Sequence, residues 1–153
     1  MRWSILTIAS VLALAYVMNF SGQTIAMGTF LAGLGTVYAF LAPALGWIGT
    51  AVTGSDTSAN ALFSKLQVSA AENLQHAGIH GATPELMLAA NTTGGVVGKM
   101  ISPQSLAIAA TSVDMEGKES DILKAVLPWS FGMLVVVCVL VFLQTNVLSF
   151  LVP

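Results

Sequence analysis

Long apolar blocks alternate along the chain with short clusters of small and polar residues, and the block lengths set the first expectations. Trp3 to Phe20 is nearly unbroken, about as long as the roughly 20 residues a bilayer-crossing helix needs, with Trp3 and Tyr16 near its ends, where interfacial aromatics sit. The pattern predicts a transmembrane helix over 3–20, interrupted by Asn19, Ser21, Gly22 and Gln23. A second is predicted over 24–45, with Gly28, Gly33 and Gly35 permitting close helix approach and Pro43-Ala44-Leu45-Gly46 ending it. A third is predicted over 123–150, centred on MLVVVCVLVFL with Pro128 and Trp129 near its start. Arg2 ahead of the first block also suits a signal peptide, but the length of the block and the lack of a small-residue cleavage site favour a retained span.

Between the second and last blocks the pattern changes. GWIGTAV is too short to cross, GSDTSAN interrupts it, and ALFSKLQVSAA follows. PELMLAA is again too short, NTTGG interrupts it, and VVGKMISPQSLAIAATSV follows. Each reads as half-helix, polar break, half-helix, which predicts a re-entrant hairpin over 47–71 and a broken helix over 84–112. Irregular backbone is tolerated at membrane depth only where protein buries it or a wet cavity receives it. A pair of such interruptions is the sequence pointer to a transporter's midplane site: half-helix N-termini offer N–H groups to an anion, and bared carbonyls can hold a cation. Residues 72–83 and 114–121 read as aqueous connections. Lys118 and Lys124 place the second of these in the cytoplasm by the positive-inside tendency, whereas Arg2 then falls on the opposite face.

Composition agrees with lipid as the solvent. The 153 residues are 56% hydrophobic and 8% charged, against about 25% charged in a typical soluble domain, and the mean hydropathy is +0.84. Net charge is −2, with Arg2, Lys65, Lys99, Lys118 and Lys124 scattered, so no basic stripe exists to track nucleic acid. Cys138 has no second cysteine to pair with. The expected class is therefore an all-α polytopic membrane protein: three transmembrane helices, a re-entrant helical hairpin and a broken helix, together forming one half of an inverted-repeat transporter.

The candidate chemistry lies at the two breaks. Asp56 is the one acid within a predicted membrane-depth stretch; it either caps the following half-helix or, as intramembrane charges commonly do, faces a pathway and carries a proton. Ser55, Thr57, Ser58, Asn60, Asn91, Thr92 and Thr93 offer neutral hydrogen bonds suited to a small carboxylate, and Gly94 and Gly95 let backbone approach a ligand. The same polar groups also serve as glue between helices. Lys99 either snorkels toward the headgroups or forms an ion pair with Asp56 or a carboxylate substrate. His76 and His80 stand four apart, but Gly78 and Gly81 argue against a helix there and two ligands rarely make a metal site. No nucleophile elbow, phosphate loop or zinc motif is present, so neither enzyme chemistry nor a cofactor is expected.

GSDTSANALFSKLQ (54–67), NTTGGVVGKMISPQS (91–105) and GKESDILK (117–124) closely resemble the C-terminal part of the L-lactate permease family, and AYVMNFSG (15–22) and LAPALGWIG (41–49) follow the same order. The resemblance implies a proton-coupled symporter of L-lactate and related 2-hydroxy monocarboxylates such as glycolate, in the bacterial inner membrane. It also implies kinship with inverted-repeat ion transporters whose Ser-Asn-Thr motifs hold sodium and a substrate carboxylate; the acid at Asp56 departs from that pattern and suits protons. Family members are several times longer, so a missing N-terminal half, supplied as a separate chain, is the expected partner. The alternatives are a non-transporting truncated or accessory subunit, or a sodium-coupled carboxylate carrier.

Overall fold

The computed structural model describes the backbone of residues 2–151 and the side chains of Leu6 and of residues 9–150. It is helical throughout, with no strand among the described residues. In order come α1 (Arg2–Phe20), α2 (Gln23–Ala32), α3 (Thr36–Thr53), α4 (Asp56–His76), α5 (Pro84–Gly98), α6 (Pro103–Ser112) and α7 (Glu119–Asn146). Short 3-10 turns cover Lys99–Ile101 and Ser149–Leu151. Two helices, α3 and α7, are long and apolar enough to cross a membrane. A third span is possible by length if Ala9–Phe20 and Gln23–Ala32, bent by 72°, count as one. The bend has a local cause: Gly22 adopts a left-handed conformation, φ 76°, and the Thr24 hydroxyl donates to Asn19 Oδ1 at 2.8 Å across the turn.

Three of the expected boundaries are different in the structure. The helix expected over 24–45 is two helices, because the Gly33-Leu34-Gly35 turn separates α2 from α3 and Gly35 takes φ 60°. Leu34 and the flanking glycines are apolar, so the break is silent in a hydropathy pattern. Pro43-Ala44-Leu45-Gly46 does not end a helix; α3 runs through Pro43 to Thr53. An interior proline removes one helical donor and strains the turn before it, and here Pro43 and its surroundings are buried against other helices. The GWIGTAV segment is thus the end of an 18-residue helix and no short hairpin arm. Finally, NTTGG does not break its helix: α5 is continuous from Pro84 to Gly98, and the interruption falls at 99–102. Thr92 and Thr93 return their hydroxyls to the carbonyls of Leu88 and Ala89, at 3.1 and 2.8 Å, which satisfies them without leaving the helix.

The glycines of α3 and α5 explain how these two helices pack. A Cβ on Gly46 would fall on the Asn91 carbonyl, one on Gly94 on the Pro43 carbonyl, and one on Gly98 on the Trp47 carbonyl. Backbone therefore meets backbone, the close approach that small residues permit between membrane helices. α4 starts from the Ser55 cap, whose Oγ accepts the Ser58 N–H at 3.3 Å. It buries Ala59, Leu66, Gln67, Ala70, Ala71 and Leu74, a stripe of helical spacing, and ends before Gly78 at φ 90°. With Tyr38, Ala42, Met87 and Val141 part of that stripe forms the main core. α7 closes over α3 and α5, tied by a buried relay in which Trp47 Nε1 donates to Ser130 Oγ at 3.0 Å and Ser130 donates to the Val97 carbonyl at 3.1 Å. The outside remains apolar: Phe20 is 86% exposed and Trp129 74%.

Candidate functional site

The α3–α4 turn and the α5–α6 interruption meet. Gly54 closes α3 in a left-handed conformation, φ 72°, which a side chain adopts only at a cost of about 1–2 kcal/mol. Thr53 organises the turn: its hydroxyl lies 2.7 Å from the Gly49 carbonyl and 3.0 Å from the Ser55 carbonyl, and accepts the Ser55 N–H at 3.2 Å. Across from it, the α5–α6 interruption ends in a second capped start, with Ser102 Oγ accepting the Ser105 N–H at 3.3 Å and Pro103 at the first helical position, where its missing N–H costs nothing. Gln104 packs on the turn, 3.4 Å from where a Gly54 Cβ would sit. The Lys99 ammonium donates to the Gly54 carbonyl and, at 3.0 Å, to Gln104 Oε1. It thereby answers the negative end of α3.

Behind the turn a chain of side chains runs into the core. Asp56 Oδ2 accepts from Asn60 Nδ2 at 3.2 Å. Asn60 Oδ1 accepts from Asn91 Nδ2 at 2.7 Å and shares with the Leu88 carbonyl the single proton of Thr92 Oγ1, 3.2 Å away. Asn91 Oδ1 accepts from Gln67 Nε2 at 3.2 Å, which also donates to the Ala42 carbonyl at 3.0 Å. Gln67 Oε1 accepts from the Tyr38 hydroxyl at 2.5 Å. Gln67 and Asn91 are wholly buried. Asp56 Oδ1 and Thr50 Oγ1 are the buried side-chain polar atoms without a hydrogen-bond partner among the described residues. Both border Gly95: a Cβ there would land on Asp56 Oδ1 and 2.8 Å from Thr50 Oγ1. On the other flank of the α4 start, Ser55, Thr57 and Ser58 line a pocket of about 190 Å³ together with Val11, Leu12 and Ala61.

A profile of the L-lactate permease family matches residues 1–148. This chain belongs to the L-lactate permease family. It is 46% identical over 153 residues to the L-lactate permease of Bacillus subtilis, covering 100% of this chain and 26% of that protein. It is 45% identical over 149 residues to the L-lactate permease of Escherichia coli K12, and 42% over 149 residues to the glycolate permease GlcA of the same strain; each match covers 97% of this chain and 26% of the relative. The chain thus spans about a quarter of the length of these relatives. No solved structure matches it. Family membership and apolar helices of spanning length together support a membrane protein.

Within this chain the structure gathers most of the residues singled out from sequence. Ser55, Asp56, Thr57, Ser58 and Asn60 occupy the first turns of α4, and Asn91, Thr92 and Gly95 reach them from α5. Three do not join the cluster. Thr93 turns toward α7, lining a separate cavity with Val137 and Gln144; it lies on another face of α5 because that helix is unbroken. Gly94 packs on the Pro43 carbonyl, a helix contact. Lys99 makes no ion pair with Asp56: among the described residues the ion pair within 4.0 Å is Lys124–Asp121. The ammonium is drawn instead to the carbonyl end of α3. Three polar residues of the site, Tyr38, Thr50 and Gln67, were not singled out from sequence. Gln67 had a signal, since 56, 60 and 67 stand at helical spacings of four and seven and so share one face of α4. Tyr38 had none, as an aromatic in an apolar run reads as core.

Proposed function

We propose that this chain furnishes the substrate and coupling side of a carrier that moves L-lactate and related 2-hydroxy monocarboxylates such as glycolate with protons across the bacterial inner membrane. The reading rests on family membership together with one observation, the hydrogen-bonded meeting of the α3–α4 turn with α5 through Asn60. The substrate carboxylate docks at the start of α4. There the first-turn N–H groups of Asp56 and Thr57 have no helical acceptor, the helix dipole favours an anion, and Ser55, Thr57 and Ser58 border the pocket. Asp56 takes the proton. The remaining three-quarters of a permease, as in the relatives, completes the site from the facing side, where inverted repeats of this kind enclose their substrate.

The test is counterflow of labelled L-lactate in proteoliposomes, with the chain alone and with the chain grafted in place of the matched quarter of the Bacillus subtilis permease. The expected result is accumulation in the graft driven by a pH gradient, competed by glycolate, and lost in Asp56→Asn while exchange of bound lactate persists. Accumulation driven by a sodium gradient and indifferent to pH would refute proton coupling. Absence of lactate exchange in the graft, with the parent permease active, would refute the transport role.

A further inference from the structure

The polarity of the side-chain chain is forced at both ends. The Ala42 carbonyl can only accept, so Gln67 must turn its nitrogen to it and its oxygen to the Tyr38 hydroxyl. That nitrogen also meets Asn91, whose oxygen must therefore face it, which leaves the Asn91 nitrogen for Asn60 Oδ1 and the Asn60 nitrogen for Asp56 Oδ2. An Asn or Gln amide has one accepting and one donating end, so each link dictates the next. Oδ2 of Asp56 consequently faces an N–H and has no room for a proton along that direction. Oδ1 and Thr50 Oγ1, a fully buried hydroxyl, border the same point beside Gly95, and neither has a hydrogen-bond partner. Gly95 is required beside them because any Cβ would occupy the same point.

We infer that the transported proton is taken on Oδ1 of Asp56 and donated to Thr50 Oγ1, with Gln67 a positioning residue that reserves Oδ2 as an acceptor through Asn91 and Asn60. The inference rests on the proton-coupled reading above and names its atoms. A proton from the aqueous phase adds to the carboxylate, giving a neutral acid whose O–H points at Thr50; its release reverses the step. Around this group, α3 contributes Tyr38 as its one titratable residue, α4 contributes Lys65, Glu72 and His76, all exposed, and α1, packed against α4, presents the exposed Tyr16. Glu85 of α5 and Glu119, Asp121 and Lys124 of α7 stand in or near the first turns of their helices, and Lys99 is held at Gly54.

The experiment compares Gln67→Met, which keeps bulk and removes all three side-chain hydrogen bonds, with Gln67→Glu. A neutral glutamic acid can accept from Tyr38 and donate to Asn91, whereas its carboxylate cannot donate. Uptake of lactate in the grafted permease is therefore expected to fall about tenfold in Gln67→Met at every pH. In Gln67→Glu it should stay near the parent at acid pH and disappear as pH rises, a limb absent from the parent. In parallel, the unsubstituted 153-residue chain and its variants are treated in liposomes with a hydrophobic carbodiimide, which modifies protonated carboxyls, and Asp56 modification is followed against pH by mass spectrometry. Different pH profiles for the parent, Thr50→Val and Gln67→Met support the assignment even if no lactate moves, in which case only the substrate reading fails. Superimposable labelling profiles, with Gln67→Glu carrying no new pH limb, would overturn it. The acid-pH activity or labelling of Gln67→Glu shows that the position tolerates substitution without unfolding.

Discussion

Asn60 links the start of α4 to the middle of α5 because it is both donor and acceptor: it gives its N–H to Asp56 and receives from Asn91 and Thr92. Aspartate at this position could not donate, and leucine would leave the buried Asn91 amide without an acceptor. Asn60→Leu is expected to cost about 1–3 kcal/mol, read from thermal unfolding in micelles, whereas Asn60→Gln should recover part of it. Asn91, wholly buried and bonded at both ends of its amide, should respond to Asn91→Leu by a similar loss. The reading of Asp56 as cap or proton carrier does not force a choice at this scale. It stands in the first turn of α4, where a negative charge suits the dipole, but the capping oxygen is that of Ser55. Its Oδ2 is left to Asn60, and its Oδ1 stands beside Thr50 without a partner.

Among the elements, α3 and α5 depend on glycine more than on side-chain packing. Gly46→Leu or Gly94→Leu would drive a side chain into a backbone carbonyl of the facing helix, and each is expected to destabilise by about 1–3 kcal/mol or more, with lowered thermal midpoints in micelles. Lys99→Met removes the charge that holds Gly54; amide exchange at residues 54–57 should then quicken by roughly tenfold while the centre of α5 is unchanged. Helical character and the special status of 54–60 were legible from sequence, because lipid tolerates small polar residues between short apolar arms only where protein or a wet cavity receives them. The break at 99–102 was half legible. Ser102-Pro103 marked it, since proline disfavours helix in the residue before it, but NTTGG drew attention first, as two threonines and two glycines look like loop. In a membrane helix threonines bond to their own backbone and glycines pack, so the same letters mean continuity. The Gly33–Gly35 turn left no polar trace at all.

For the whole molecule, polar groups concentrate on the α3–α4–α5 junction while the exterior stays apolar. That distribution suits a unit packed against lipid, in a family whose curated relatives are some four times longer. Tyr38, Thr50 and Gln67 were hidden in the sequence because their meaning lies in contacts between different helices, such as Tyr38 with Gln67 and Gln67 with Asn91, 29 and 24 positions apart. Periodicity within a single helix does not report such pairs. The central claim is that the α3–α4 turn and the α5–α6 interruption form one site. Its most direct test is a cysteine pair at Gly54 and Gln104 in a Cys138→Ala background. The Gly54 Cβ position lies 3.4 Å from the Gln104 Cβ, close to the 3.5–4.5 Å or so that a disulfide spans. Oxidation in liposomes should join the two within one chain, seen as a cross-linked peptide by mass spectrometry and reversed by reductant. Two free thiols after oxidation, with each single cysteine shown reactive, would contradict it.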